Sequence, residues 1–234
     1  MHLLHGQLLV QIQRVAKEDP VVSKLPENYG GNNHFSYGLN SSQLLTVVKD
    51  VVGNTKMSPE EIKRSVISFY KGESSEEKYA ASRILQVFKD VRKIVSPNDV
   101  GEYLNYLHGW AEVDSLCQMV FDVEEFENDW EGWKDLVIKL SKDRNINKRR
   151  ASLVLLVKPL MHSNNEKYLN LAIENLNRLK TERDKLITKA VSWILRSMIK
   201  NHRQELQRYL VINQKSLPAI AVRETRTKLV TGRK

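Results

Sequence analysis

Three segments of this chain repeat one pattern: Tyr79-Ala-Ala-Ser-Arg-Ile-Leu-Gln, Arg149-Arg-Ala-Ser-Leu-Val-Leu-Leu and Thr188-Lys-Ala-Val-Ser-Trp-Ile-Leu. Each sets a small residue at the head of an apolar run with helical spacing. A fourth copy fits at Val113-Asp114-Ser115-Leu116, and a looser fifth at Arg223-Glu-Thr-Arg-Thr-Lys-Leu. The small residues then fall at 81, 115, 151, 190 and 225, spaced 34 to 39 positions apart. A period in this range marks helix-pair solenoids, in which a small residue lets two helices approach closely. Equivalent positions of successive repeats lie on one surface, so the register predicts which distant residues are neighbours.

The rest of the chain agrees with an all-α class. Apolar positions recur at helical spacing over most of its length, and no alternating strand pattern exceeds four residues. Helices are predicted at about 2–17, 42–52, 58–70, 75–94, 97–108, 111–121, 124–141, 147–161, 165–178, 183–199, 203–212 and 217–230. Asn40-Ser-Ser-Gln43 and Ser58-Pro-Glu-Glu61 carry start signals, the second a capping box with Pro in the first turn. Residues 19–40, with Pro20, Pro26, Gly30 and Gly31, read as a loop or broken helix. No linker divides the 234 residues, which are expected to form a single repeat domain, 1–234.

The 37 Lys and Arg exceed the 28 Asp and Glu, giving a formal charge of +9 and favouring a polyanionic partner. The charge is uneven: residues 122–131 are acidic, whereas Lys139, Lys142, Arg144, Lys148, Arg149 and Arg150 follow closely. The single Cys117 excludes a disulfide framework and reads as buried filler. The N-terminus lacks a basic leader and no run is long enough to cross a bilayer, so a cytoplasmic protein is expected. There is no phosphate-binding glycine loop and no nucleophile arrangement. Histidines at 2, 5, 34, 108, 162 and 202 show no metal-binding helical spacing, so neither a metal nor a cofactor is expected.

The register assembles a different chemistry. Asp114, Arg150 and Lys189 each precede the small residue of their repeat, and Trp110 and Trp193 lie four positions from Asp114 and Lys189, on the same helix faces. Two indoles, a carboxylate and two cations are thus predicted to line one concave basic surface. Lys148-Arg149-Arg150 at a helix start opposes the macrodipole and calls for an anion, either the acidic 122–131 segment or a ligand. A concave basic surface suits a duplex backbone, yet a carboxylate in it repels the same phosphates. An alkylated purine supplies the cation that would explain it. Its glycosidic bond is already weakened, and an ionised Asp can stabilise the oxocarbenium-like sugar and position water, while indole faces favour cations.

These residues carry a resemblance to the AlkD-like alkylpurine DNA glycosylases, proteins of HEAT-like repeats, over nearly the whole chain. His34-Phe-Ser-Tyr-Gly-Leu resembles an N-terminal block of that family, and Trp110-Ala-Glu-Val-Asp114-Ser115 its Trp-x-x-x-Asp-Ser element. Asn145-Ile-Asn-Lys-Arg-Arg150-Ala151, Lys189-Ala-Val-Ser-Trp193-Ile-Leu-Arg196 and the Leu217-to-Glu224 segment match three more elements. The resemblance implies that Asp114 is the catalytic acidic residue, Trp110 and Trp193 the cleft aromatics and Arg150 a DNA-contacting residue. Lys148, Arg149, Lys189, Arg196 and Tyr29 would complete the DNA-binding surface. It further implies excision of 3-methyladenine and 7-methylguanine from double-stranded DNA, without a cofactor or an obligate protein partner. Ala111 and Asn147 depart from the family pattern, where an acid and an aromatic are common. The contrasting reading is a non-catalytic repeat module that binds DNA or protein along the same surface.

Overall fold

A computed structural model describes residues 2–21 and 28–232, which form α-helices and their connections, with no strand among them beyond an isolated bridge between Phe35 and Ser74. Residues 22–27, including the Pro26 of the predicted loop, lie outside the described residues. The chain divides into two compact units, Met1–Val120 and Phe121–Lys234, each a set of packed helix pairs.

The first unit contains α1 (Leu3–Glu18), α2 (Ser41–Gly53), α3 (Pro59–Tyr70), α4 (Ser75–Val87), α5 (Lys89–Lys93), α6 (Pro97–Tyr103) and α7 (Gly109–Met119). Their starts follow from the sequence. Asn40, Ser58, Ser74 and Ser96 each close a full capping box with the residue three positions on, and Pro59 and Pro97 occupy first-turn positions where no backbone N–H is missed. α4 is the centre of this unit, packed by α2, α3, α5 and α7. Ala80, Ala81, Ser82, Ile84 and Leu85 are all fully buried. Burying Ile84 and Leu85 contributes roughly 1.5–3 kcal/mol each. The helix predicted over 75–94 breaks at Phe88, whose ψ of 88° leaves the helical region and lets α5 fold back on α3 and α4. The helix predicted to reach 108 stops at Tyr103.

The second unit contains α8 (Val123–Asn128), α9 (Trp130–Ser141), α10 (Ile146–Val154), α11 (Val157–His162), α12 (Glu166–Leu179), α13 (Lys185–Ser197), α14 (Arg203–Asn213) and α15 (Ala219–Thr231). Two predicted helices are again split. Asp129 interrupts 124–141 and caps α9 by accepting from the Gly132 N–H. Pro159 divides 147–161, because its ring conflicts with a helical carbonyl four residues earlier; α10 therefore ends at Val154 and α11 begins at Val157.

Within each unit the repeat register is seen directly. α4 packs on α7, α10 on α13, and α13 on α15, so helices bearing successive copies are neighbours. Ala81, Ala151, Ala190 and Thr225 are fully buried and Ser115 nearly so. Hydrogen bonds step along the chain at a similar interval, 32 to 36 positions. Ser82 meets Ser115 at 3.1 Å, Arg149 meets Glu182 at 2.8 Å, Arg150 meets the Leu186 carbonyl at 2.6 Å and Ser192 meets Glu224 at 2.6 Å.

Candidate active site

In the first unit, Trp110 and Asp114 lie one turn apart on α7, and both are half-buried, while Val113, Ser115, Leu116 and Cys117 face the core. The connection before α2 runs across the start of α7. The Trp110 indole Nε1–H donates to the Tyr29 carbonyl at 2.7 Å, and the Tyr29 ring meets the indole edge-on, with centroids 5.4 Å apart. Tyr29 thus lies against Trp110, and 52% of its surface stays exposed. The Ala111 N–H donates to the Gly30 carbonyl at 3.2 Å. Gly109 makes this approach possible. It adopts a φ of +73°, and a Cβ there would come within 2.4 Å of the Gly30 carbonyl oxygen. The small Ala111, a departure from the family pattern, has its methyl against Gly30.

Two buried carboxylates hold this connection in place. Glu76 accepts from the backbone N–H groups of Tyr37 and Gly38 and from the Ser36 hydroxyl. Glu112 is fully buried; its Oε2 accepts from the His108 backbone N–H at 2.8 Å, and its Oε1 lies 2.6 Å from His34 Nδ1. The His34 and His108 rings meet edge to face, with centroids 5.1 Å apart. Histidines that are dispersed along the chain are thus gathered in space. Residue spacing could not reveal this, because one partner comes from a loop 74 positions before the other. Glu112 lies inside the Trp110-to-Ser115 element and carries no role by local spacing, yet it is fully buried and joins both histidines.

In the second unit, α10 and α13 carry the predicted cations. Lys189 is exposed and Trp193, one turn on, is half-buried. Two cations of the Lys148-Arg149-Arg150 cluster pair with carboxylates inside the second unit. Lys148 lies 3.4 Å from Asp143, and Arg149 forms a two-pronged pair with Glu182 at 2.8 and 3.0 Å while also donating to the Asp143 and Arg144 carbonyls. The acidic segment meets α11 and α12, through Asp122 with His162 and Glu127 with Lys167. Arg150, 3% exposed, ties α10 to the first turn of α13 through the Leu186 carbonyl. Arg196, expected on a DNA-contacting surface, is buried like Arg150. It is 8% exposed, and one guanidinium nitrogen meets both Glu224 and Ser192, which joins α13 to α15.

Residues 15–229 match the family described as DNA alkylation repair enzyme, and the chain belongs to that family. No curated protein matches it. Among solved structures it is similar to a predicted DNA alkylation repair enzyme from Enterococcus faecalis, with a TM-score of 0.71 and 17% identity, over 88% of this chain and 93% of that one. At that identity the likeness shows the shared solenoid-like all-α fold. None of the helices among the described residues is long and apolar enough to cross a membrane.

Proposed function

We propose that this protein is a DNA glycosylase that hydrolyses the N-glycosidic bond of positively charged alkylated purines, such as 3-methyladenine and 7-methylguanine, in duplex DNA. The observation that carries the reading is Asp114, a half-buried carboxylate one turn beyond an indole whose position is fixed by the Tyr29 carbonyl and ring. Membership of an alkylation-repair family supports it. The cationic base is already a good leaving group: the electron pair of the glycosidic bond moves onto the ring, and the base departs neutral. Asp114 then stabilises the positive charge growing on the sugar, and a water oriented by it adds at C1′ and gives up its proton to that carboxylate. Trp110, Trp193 and Tyr29 offer aromatic faces to cationic groups. Lys189, exposed on α13, is assigned to direct contact with the sugar–phosphate backbone, and Lys148, Arg149, Arg150 and Arg196 are assigned to it through the positive potential they add from within their structural pairs. The chemistry needs only water and an ionised carboxylate, and suits a cytoplasmic protein acting as a monomer.

Incubation with duplex DNA carrying 7-methylguanine tests this reading. Chromatography should detect free 7-methylguanine well above spontaneous loss, with an abasic site left in the strand. DNA that is bound but keeps its base would instead identify a non-catalytic DNA-binding module.

A further inference from the structure

We propose that His34, His108 and Glu112 form a binding site for a divalent transition-metal ion of the zinc class. The coordinating atoms of these three side chains all lie within 4.8 Å of one another. Two imidazoles and one carboxylate are a donor set that zinc favours, and a fourth position is left for water. Tetrahedral bonds of about 2.0–2.1 Å place ligand atoms about 3.3 Å apart. The 2.6 Å contact between His34 and Glu112 therefore has to open by less than about 1 Å, and the metal takes the place of the proton they share.

The surroundings fit a held site rather than a chance cluster. The Glu112 side chain is 0% exposed and stays oriented through Oε2, which keeps the His108 backbone N–H as an outer partner while Oε1 turns to the metal. The His34 backbone N–H donates to the Asn32 side chain at 3.0 Å, which fixes the loop that presents its ring. His108 is exposed and gives the ion an entry path. The positive end of α7 and the Lys78 ammonium, which interacts with Glu112, both oppose a dication. Affinity is therefore set below that of closed four-ligand structural sites. An ion here would clamp the loop bearing Tyr29 to the first turn of α7. The proposal concerns binding alone and stands whether or not the protein releases bases.

Titration of the untagged 234-residue chain with Co2+, then Zn2+, tests it. One equivalent of Co2+ should give the visible absorption of a four- or five-coordinate ion, and Zn2+ should displace it. His108→Ala removes an exposed ring without touching the buried Glu112 contacts, and should weaken binding on the order of tenfold or more. His162→Ala, at the exposed pair of His162 with Asp122, should leave it unchanged. The proposal is overturned if only the spectrum of aqueous Co2+ appears, or if affinity is unchanged in His108→Ala or lost in His162→Ala.

Discussion

Glu77 joins two elements of the first unit through one side chain: Oε1 lies 2.7 Å from His5 Nε2 on α1, and Oε2 accepts from the Ser74 N–H and hydroxyl at the start of α4. Burial alone would raise its pKa, but the hydrogen bonds from His5 and Ser74 outweigh that and hold the carboxyl at about 2, below the ordinary 4.5. Since the folded value is depressed, the stabilisation is fully present above about pH 4.5 and is lost as pH falls toward 2. Glu77→Gln is expected to lower the unfolding free energy at pH 7 by about 1–3 kcal/mol. Urea denaturation should show the gap between variant and wild type closing between pH 4.5 and 2. A gap independent of pH would contradict the assignment. The same scale explains which site residues sequence reveals. Trp110 and Asp114 are legible because four positions on one helix fix a shared face. The partners of Arg149 and Arg196 are not, since Glu182 and Glu224 meet them only through packing of the next repeat.

At the scale of elements, the start of α7 matters most. Gly109→Ala would force a left-handed conformation on a residue with a side chain and drive its Cβ into Gly30 and Gly31. Together these should cost about 2 kcal/mol or more, with a lowered melting temperature and loss of the Tyr29–Trp110 contact. Retention of wild-type stability would mean that the loop is not docked there. Capping boxes make some helix starts readable, notably Ser58 with Glu61 and Asn40 with Gln43. Internal breaks were harder. Apolar periodicity runs on through Phe88, and only the packing of α5 on α3 and α4 turns the chain. Pro159 did mark a break, but its effect falls four residues earlier, which an apolar pattern over 147–161 conceals.

At the scale of the molecule, the repeat interval was legible because a solenoid needs a small residue wherever neighbouring helices meet, and the buried series at 81, 115, 151, 190 and 225 satisfies that need in each unit. The charge excess points to DNA as a whole-molecule partner, and salt dependence tests it. Lys189, exposed on α13, is the cation best placed to contact phosphate without a structural duty. Lys189→Ala should weaken duplex binding equally on any sequence and flatten the logarithmic salt slope by about 0.9. Binding that ignores salt would remove the phosphate role. The central claim, that Asp114 drives base release, is tested most directly by single-turnover excision of 7-methylguanine by Asp114→Asn, with duplex affinity measured alongside. Asn keeps the shape of Asp and removes the charge that stabilises the sugar cation. Excision should therefore fall about a hundredfold or more while DNA affinity holds or tightens, because repulsion toward phosphate is also removed. Excision at the wild-type rate by the Asn variant would contradict the account.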